Sequence, residues 1–325
     1  MNKLIFPDYN RAPSSSLQKI LREGEFLAPL IALHGKQKGE YDLALDVQLR
    51  RSDEVHVYYG LTKLVTAQLK KNDKVKISAA KTYEDHDDKN FFRDWYVGET
   101  GFQDCLNDYL NIVIGNVART WIAKEGRVQA IWAQVAMPHG PWTPFDREAV
   151  LDFSKLQNAK KKAEKFRKFS EVGDAQSRLE RMGKRWSKLP KPGVKPDQLA
   201  IDGDGNLILV ENKYAGKRYD SSKLYYTPLQ LLQYIHEWNK ALERSSVWDS
   251  LQELIDIKMD LGLSRDIGKR LTGGIRAVIC FGEDERSDEV KRRFCEVLNV
   301  VNEHLPPNVQ SVETWGYSKN GPQPL

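Results

Sequence analysis

The sequence predicts a protein of the α/β class, α+β overall, whose two domains follow one another along the chain. Its 325 residues are about twice the usual length of one domain, so each half is long enough to bury a core. Alternating strand patterns open the first half and indicate an α+β N-terminal domain, residues 1–150. In residues 151–325 helical patterns separate the strands, which predicts a mixed sheet flanked by helices.

The N-terminal domain is predicted to begin with antiparallel strands. Apolar and polar residues alternate over 41–50, and similar segments follow up to residue 80, which indicates a sheet with one buried and one solvated face. Helical spacing then covers 102–123, and 127–135 returns to a strand pattern. Three prolines within 137–148 predict a linker to the second domain.

Helices and strands alternate through the second half. Its elements are predicted, in order, as a helix capped by Asp174, strands at 197–202 and 206–213, a helix with Thr227 as N-cap and Pro228 at its first position, an inserted helix at 246–262, a strand at 275–281, a helix capped by Ser287, and a last strand at 309–315. Apart from the inserted helix, the order is α, β, β, α, β, α, β.

Composition and cysteine usage exclude several classes of protein. The chain has no apolar run near the roughly 18 residues that a membrane span needs. Its start lacks the apolar core of a secretory signal, so a cytoplasmic protein is predicted. The cysteines Cys105, Cys280 and Cys295 are far apart among apolar neighbours, which predicts reduced core residues. Because no Cys-x-x-Cys pair or histidine cluster occurs, any metal is expected to have oxygen ligands.

Positive charge is concentrated in residues 155–195. This segment contains fourteen Lys and Arg against four Asp and Glu, a local net charge of +10 in a chain of net charge +5. A run of this kind directly before strand 197–202 predicts a polyanionic partner such as DNA, while a solvated helix face is the other interpretation. The candidate DNA-binding residues are Lys160, Lys161, Lys162, Lys165, Arg181, Lys184 and Arg185.

Charged residues end both strands of the segment 195–214, which joins two apolar runs through Gly-Asp-Gly at 203–205. Glu211 and Lys213 are two residues apart on one strand and therefore share a face. A three-residue loop places Asp197 directly opposite Glu211. A two-residue turn shifts the register by one and puts the two carboxylates on opposite faces. Local turn preferences leave both registers open.

Facing carboxylates favour a metal site. Directly opposed residues of neighbouring strands have Cβ atoms about 4.5–5.5 Å apart, so two carboxylates there repel each other unless a cation is shared. Oxygen ligands suit Mg²⁺ or Mn²⁺, which also bind phosphate oxygens. A lysine two residues further on can hold or deprotonate an attacking water, or offset charge in the transition state.

Three motifs in this half resemble a nuclease family. Pro196-Asp197 followed by Glu211-Asn212-Lys213 resembles the signature of the PD-(D/E)XK nuclease superfamily. Residues 230–234, from Gln230 to Tyr234, match the Q-x-x-x-Y motif of its RecB-like and lambda-exonuclease-like branch, on the helix after the E-x-K strand. The resemblance covers about residues 170–317 and implies a restriction-endonuclease-like fold for the C-terminal domain.

The resemblance also implies roles for individual residues. Asp197 and Glu211 would bind the metal together with the carbonyl of Asn212, and Lys213 would position the water. Gln230 and Tyr234 would contact the DNA backbone or brace the site. An acidic residue of the preceding helix often completes such sites, for which Glu180 is the candidate and Glu171 the alternative.

Two features depart from the family pattern. No strand pattern is found between residues 186 and 195, where the family core has its first strand, and the four cluster-binding cysteines of some relatives are absent.

The function implied is that of a Mg²⁺-dependent deoxyribonuclease, with Mn²⁺ able to substitute, in which residues 1–150 recognise DNA or a partner. A catalytically silent nucleic-acid-binding protein that retains the fold is the alternative, and a protein-interaction scaffold is the third interpretation. Endonucleolytic and exonucleolytic cleavage, DNA and RNA substrates, and roles in restriction, repair or phage defence are all compatible with the motifs. So is a homo-oligomer.

Overall fold

The structure, a computed structural model, contains two six-stranded sheets. It describes residues 6–39, 43–85, 90–117, 124–134, 141–154, 158–183, 195–215, 221–265, 268–282, 286–318 and 320–325. Within these ranges there are ten helices and twelve strands, so the predicted mixed α and β class is confirmed. None of the helices in these ranges is long and apolar enough to span a bilayer.

Each sheet is formed by strands that are close together in sequence. The first sheet contains β1 (Gln37–Lys38), β2 (Leu43–Arg51), β3 (Glu54–Tyr59), β4 (Thr62–Leu69), β5 (Lys74–Ser78) and β6 (Asp94–Tyr96). The second contains β7 (Trp142–Arg147), β8 (Gln198–Asp202), β9 (Leu207–Lys213), β10 (Ile275–Phe281), β11 (Glu313–Ser318) and β12 (Gly321–Pro324). The described helices are α1 (Ser15–Leu21), α2 (Ala28–Ile31), α3 (Lys81–Glu84), α4 (Phe102–Asn116), α5 (Glu125–Gln134), α6 (Ala159–Phe166), α7 (Ser170–Arg181), α8 (Ser221–Ala241), α9 (Ser245–Asp260) and α10 (Asp288–Asn302).

The chain divides into two compact units. One is formed by Met1–Tyr9, Pro138–Gln252 and Asp266–Leu325, and contains the second sheet. The other is formed by Asn10–Met137 and Glu253–Arg265, and contains the first sheet. The division therefore falls before β7, whereas the sequence suggested a boundary at residue 150.

The first sheet is antiparallel throughout, as the alternating pattern predicts. Its apolar face packs on α4, where the Tyr109 hydroxyl donates to the carbonyl of Leu64 at 3.0 Å. The prediction that the other face is solvated is wrong at β2, because Asp46 and Gln48 are buried there. Lys258 covers this part of the sheet, and its Nζ donates to Oε1 of Gln48 at 2.8 Å.

Residues 127–135, predicted as a strand, belong instead to helix α5 over the residues that the structure describes. Val128 and Trp132 are both buried, and their spacing of four places them on one helical face. The apolar run is short, and runs of this length do not distinguish a strand from a buried helix by periodicity alone.

The second sheet has the order β12-β11-β10-β9-β8-β7. Strand β10 is parallel to both of its neighbours, β9 and β11. The remaining pairs of neighbours are antiparallel. Helix α8 packs against β9 and β10 as well as against α7 and α10. Ser287 caps α10 as predicted, since its Oγ accepts from the Val290 N–H at 3.3 Å.

The predicted linker at 137–148 contains edge strand β7, which pairs with β8. The prolines that suggested a linker are compatible with an edge strand, because there the missing N–H faces away from the partner strand or lies at a bulge. Pro144 is at such a position, next to a shift of register between Pro144 and Asp146.

Helix α8 begins at Ser221, so the prediction of Thr227 as its N-cap is wrong. Pro228 lies inside the helix and removes one main-chain hydrogen bond. Leu224 is buried and extends the apolar stripe through Leu231 and Ile235 by one more turn. Helix α7 likewise begins before its predicted cap, at Ser170, which leaves Asp174 within the helix.

The hairpin between β8 and β9 has the three-residue loop 203–205. The paired residues include Ile201 with Leu207 and Gln198 with Val210, and the Asp202 N–H donates to the Asn206 carbonyl at 3.3 Å. The register that sets Asp197 opposite Glu211, one of two that the local sequence allows, is therefore the observed one.

Gly205→Ala is expected to destabilise this hairpin by about 2 kcal/mol or more. Gly205 has φ +84, and a Cβ there would overlap the Arg270 carbonyl oxygen and lie 2.8 Å from Cγ2 of Thr272. Gly203→Ala is the matched control, since its Cβ would meet no described atom within 4 Å. Urea unfolding measures both, and equal free energies of unfolding for the two variants would contradict the expectation.

Candidate metal and nucleic-acid site

The hairpin register brings the charged ends of β8 and β9 together. Continued by one residue beyond the last strand pair, it places Asp197 opposite Glu211, and by two residues it places Pro196 opposite Asn212. Side chains directly opposite each other in an antiparallel pair lie on the same face of the sheet. The structure thus brings Asp197, Glu211 and Lys213 to one end of the hairpin.

Asp197 is held by hydrogen bonds from both sides. Its Oδ2 accepts from the Asn212 N–H, and its main-chain carbonyl accepts from the Glu148 N–H, each at 2.8 Å. Glu148 itself has φ 49, a left-handed conformation that non-glycine residues seldom adopt and that often occurs near functional sites. Sequence reasoning missed Glu148, because it had placed this residue in a linker.

The main-chain carbonyl of Asn212 is suited to bind a cation. In an antiparallel ladder the N–H and C=O of one residue point to the same neighbouring strand, and the Asn212 N–H points towards Asp197. The residue opposite Asn212 is Pro196, which has no N–H to donate to this carbonyl. The proline of the motif therefore keeps the ladder from occupying the carbonyl oxygen.

Glu211 and Lys213 form a buried ion pair. Nζ of Lys213 donates to Oε1 of Glu211 at 2.7 Å, and the Lys213 and Glu211 side chains are 13% and 2% exposed, respectively. Strand alternation puts both on the face where α8 packs. Because this ion pair lies at the end of β9, Glu211 can hold the Lys213 ammonium group next to a substrate bound there.

Gln230 and Tyr234 lie one turn apart on α8, as the motif spacing predicts. Nε2 of Gln230 donates to the Tyr234 hydroxyl at 2.5 Å. Burial raises the pKa of the Tyr234 phenol above its usual range, and the charge of Glu211 raises it further, with a smaller contribution from Asp197. The charges of both carboxylates therefore act on the Tyr234 phenol, which stays protonated at neutral pH.

The oxygen donors at this end of the hairpin fit a hard divalent cation. Asp197, Glu211 and the Asn212 carbonyl supply three oxygens, and Mg²⁺ usually keeps several waters besides one or two carboxylates. Among the described residues, no three His, Cys, Asp or Glu side chains are grouped as metal ligands. Glu180 is exposed on α7 and accepts from Nε2 of Gln176, so the structure does not add it to the two carboxylates. Glu171, also exposed, does not join them either.

Most of the candidate DNA-binding residues lie on two helices of the same unit. Helix α6 buries Ala163 and Phe166 in the core, and the Phe166 ring packs edge-on against the Phe153 ring. Its lysines are directed outwards, with Lys160, Lys161 and Lys165 exposed and Lys162 partly exposed. Arg181 is exposed at the end of α7. The candidates Lys184 and Arg185 lie outside the described residues.

The cysteines differ in environment. Cys280 is buried in β10 opposite Asn212, and burial raises the pKa of its thiol well above the usual value. Cys105 is partly buried, whereas Cys295 on α10 is exposed, so the prediction of three core cysteines is wrong for Cys295. Cys295 lies on the solvent side of an amphipathic helix, which its apolar neighbours in sequence do not reveal.

Comparison of the chain with protein-family models, curated proteins and solved structures finds no match.

Proposed function

We propose that the protein is a metal-dependent nuclease that hydrolyses phosphodiester bonds of DNA, with Mg²⁺ as its cofactor and Mn²⁺ as a substitute. The observation that carries the proposal is the hairpin register, which sets Asp197 opposite Glu211 with Lys213 on the same face. Two acidic side chains placed together at a strand end repel each other; Lys213 offsets one of the two charges, and a bound cation would remove the remaining repulsion.

The sheet supports a restriction-endonuclease-like fold for this unit. Three antiparallel strands, β7, β8 and β9, are followed through α8 by the parallel strand β10. β7 lies beside β8 in the sheet, although in the chain it precedes α6 and α7, whereas the family core has its first strand after the helix. The three motifs lie directly before β8, on β9 and on α8, in the expected order.

Asp197, Glu211 and the Asn212 carbonyl would hold the metal. Mg²⁺ bound by these residues would supply a Lewis acid for a phosphate oxygen and would lower the pKa of a bound water. The Lys213 ammonium, held by Glu211 at 2.7 Å, would orient the attacking water and offset negative charge on the phosphorus centre. The Asp197 hydrogen bond to the Asn212 N–H fixes the spacing between these ligands.

Tyr234 would bind the scissile phosphate. Its hydroxyl accepts a hydrogen bond from Gln230, so its own hydrogen can be donated to a phosphate oxygen. The raised pKa keeps that hydrogen in place at neutral pH. Gln230 is then a positioning residue that orients the phenol.

Incubation of supercoiled and linear plasmid with the purified chain, with Mg²⁺, with Mn²⁺ and with EDTA, tests the proposal. Relaxation or shortening that requires the metal is the expected result, and relaxation of circles identifies an endonuclease. DNA that is bound but never cleaved would overturn the proposal in favour of a silent nucleic-acid-binding protein.

Neutralising α6 is expected to weaken DNA binding on all sequences alike. Replacing Lys160, Lys161, Lys162 and Lys165 by Gln removes four of the outward charges of a helix held by Phe166. The slope of log K against log salt concentration should flatten by about 0.9 for each phosphate of duplex DNA that the variant no longer neutralises. Fluorescence anisotropy at several salt concentrations measures it, and an unchanged slope would mean that the lysines are only solvated.

A further inference from the structure

Two β-bulges in the first sheet place basic side chains on its polar face. The first lies in the β2–β3 pair between Leu49 and Arg51, where Arg51 pairs with Glu54. Arg50 and Arg51 are therefore both set against Glu54, which faces the same side of β3 as His56. An unbroken ladder would oppose one arginine, not two, to this residue.

The second bulge lies in the β3–β4 pair between Val57 and Tyr58. Val57 pairs with Val65, but Tyr58 pairs with Lys63. Without the bulge, Tyr58 would face Leu64, which is instead buried on the apolar side, where its carbonyl accepts from Tyr109. The bulge exchanges an apolar neighbour of Tyr58 for a lysine.

These residues and Arg11 form one cluster, here called the basic face, which consists of Arg11, Arg50, Arg51 and Lys63 around His56 and Tyr58. The Arg50 guanidinium lies over the Tyr58 ring, 5.4 Å from its centroid, and is buried. Nη1 of Arg11 donates to the Arg50 carbonyl at 3.4 Å. Arg51 is exposed, and Lys63 and Arg11 are partly exposed. Solvent therefore reaches the basic face.

Positive charge dominates at the centre of the basic face. Burial, and to a smaller extent the charges of Lys63, Arg50, Arg11 and Arg51, lower the pKa of His56 to about 3. Glu54, whose Oε2 lies 3.4 Å from Nε2 of His56, does not offset them, and Nδ1 of His56 contacts the Tyr58 hydroxyl at 3.2 Å. The other carboxylate on this face of β2 and β3, Asp46, accepts from Nε2 of Gln48 at 2.6 Å. Four cations thus act on the His56 imidazole.

We propose that the basic face is a second nucleic-acid-binding site, which binds backbone phosphate through residues other than those of the proposed cleavage site. The choice of nucleic acid as the source of the phosphate rests on the proposed nuclease function. Arginine binds phosphate oxygens through two parallel N–H donors, and the first bulge adds the exposed Arg51 to the cations around His56, among which Lys63 is also partly exposed. Bulges often re-aim side chains at functional sites, and here two bulges lie on either side of His56 along β3.

The site gives the N-terminal unit a role. Contacts to phosphates position a protein on nucleic acid without reading its sequence. An anchor on the basic face would hold the substrate while a different part of the chain cleaves it. Loss of the anchor should therefore weaken binding and leave the chemistry of cleavage at saturating DNA unchanged.

The double variant Arg51→Gln/Lys63→Gln tests the proposal on the full-length chain. Its dissociation constant for a short fluorescent duplex, measured in EDTA so that no cleavage occurs, is expected to rise about tenfold, with a salt slope smaller by about 1 to 2. Lys36→Gln/Arg127→Gln is the matched control, because it removes two exposed cations of the same unit outside the basic face. An unchanged dissociation constant, or an equal loss in the control, would overturn the proposal.

The His56 imidazole provides a second measurement, which does not depend on the variants folding. A bound phosphate group compensates the surrounding cations, so the NMR resonances of His56 should shift and its pKa should rise when the duplex is added. Inorganic phosphate serves as the comparison ligand. Resonances that respond to neither ligand, or to inorganic phosphate but not to the duplex, would overturn the assignment to nucleic acid.

Failure of this inference is distinguishable from failure of the proposed function. Wild-type protein that binds DNA through the basic face but cleaves none with either metal contradicts the nuclease alone. Metal-dependent cleavage with no effect of Arg51→Gln/Lys63→Gln on binding contradicts the basic face alone.

Discussion

Glu211→Gln is expected to reduce metal-dependent DNA cleavage by about 10³-fold or more. The substitution keeps the size of a side chain that is 2% exposed but removes the charge that would bind the metal and hold Nζ of Lys213. Residues that act as one catalytic unit lose nearly as much singly as together, so Asp197→Asn and Lys213→Ala should be about as damaging. Initial rates on plasmid DNA under excess Mg²⁺ measure the effect, and circular dichroism checks the fold.

Glu180→Gln is the control for removal of a carboxylate elsewhere in the same unit. Glu180 is exposed and bonded to Gln176, so its loss should change the cleavage rate less than about twofold if Asp197 and Glu211 alone supply the carboxylates. A large loss in Glu180→Gln would restore it as a metal ligand. Full activity in Glu211→Gln would exclude the metal site, and with it the nuclease.

Asp202→Ala is expected to lower the free energy of unfolding by about 2–4 kcal/mol. Its carboxylate is 3% exposed and closes the loop 203–205, because it accepts from the N–H groups of Asp204 and Asn206 at 3.0 and 2.9 Å. Nη1 of Arg276 donates to the same carboxylate at 2.7 Å. Removal of Asp202 leaves these donors without their acceptor and frees the hairpin whose register sets Asp197 opposite Glu211.

The contribution of Asp202 should depend on pH. Burial by itself raises the pKa of Asp202, but the hydrogen bonds from Asn206 and Arg276 outweigh burial and lower it below the ordinary value of 3.8. A carboxylate with a lowered folded-state pKa stabilises fully above its unfolded pKa, and this contribution is lost as pH falls through the folded value. The difference in unfolding free energy between wild type and Asp202→Ala should therefore be constant near neutral pH and shrink below about pH 4.

Asp204→Ala is the control within the same loop. Asp204 is exposed and contributes its main-chain N–H to the Asp202 carboxylate, which alanine retains. Its effect on urea unfolding at neutral pH should stay within about 0.5 kcal/mol. An effect of Asp204→Ala as large as that of Asp202→Ala would mean that general charge in the loop, rather than the bonds to Asp202, stabilises it.

Much of the fold could be predicted from local sequence. Alternation over 41–80 is sufficient to indicate the antiparallel strands, since side chains of a half-buried strand must point in and out in turn. The apolar run of 277–281 indicates a strand buried on both faces, and Ser287 marks the start of α10. The spacing of Gln230 and Tyr234 likewise determines their contact on α8.

Other features were decided only by the tertiary structure, because they depend on residues far apart in the chain. The prolines of 137–148 are compatible both with a linker and with an edge strand. Only the pairing with β8 shows that part of this segment is a strand. Gly-Asp-Gly permits two registers, and the contacts of Asp202 with Arg276 and of Gly205 with Arg270 and Thr272 accompany the three-residue loop. The basic face arises from two bulges that no alternation pattern reveals. Local sequence thus determined most of the strands and helices, while long-range pairing and packing decided the rest and decided which side chains meet, since a shift of one residue in pairing turns a side chain to the opposite face.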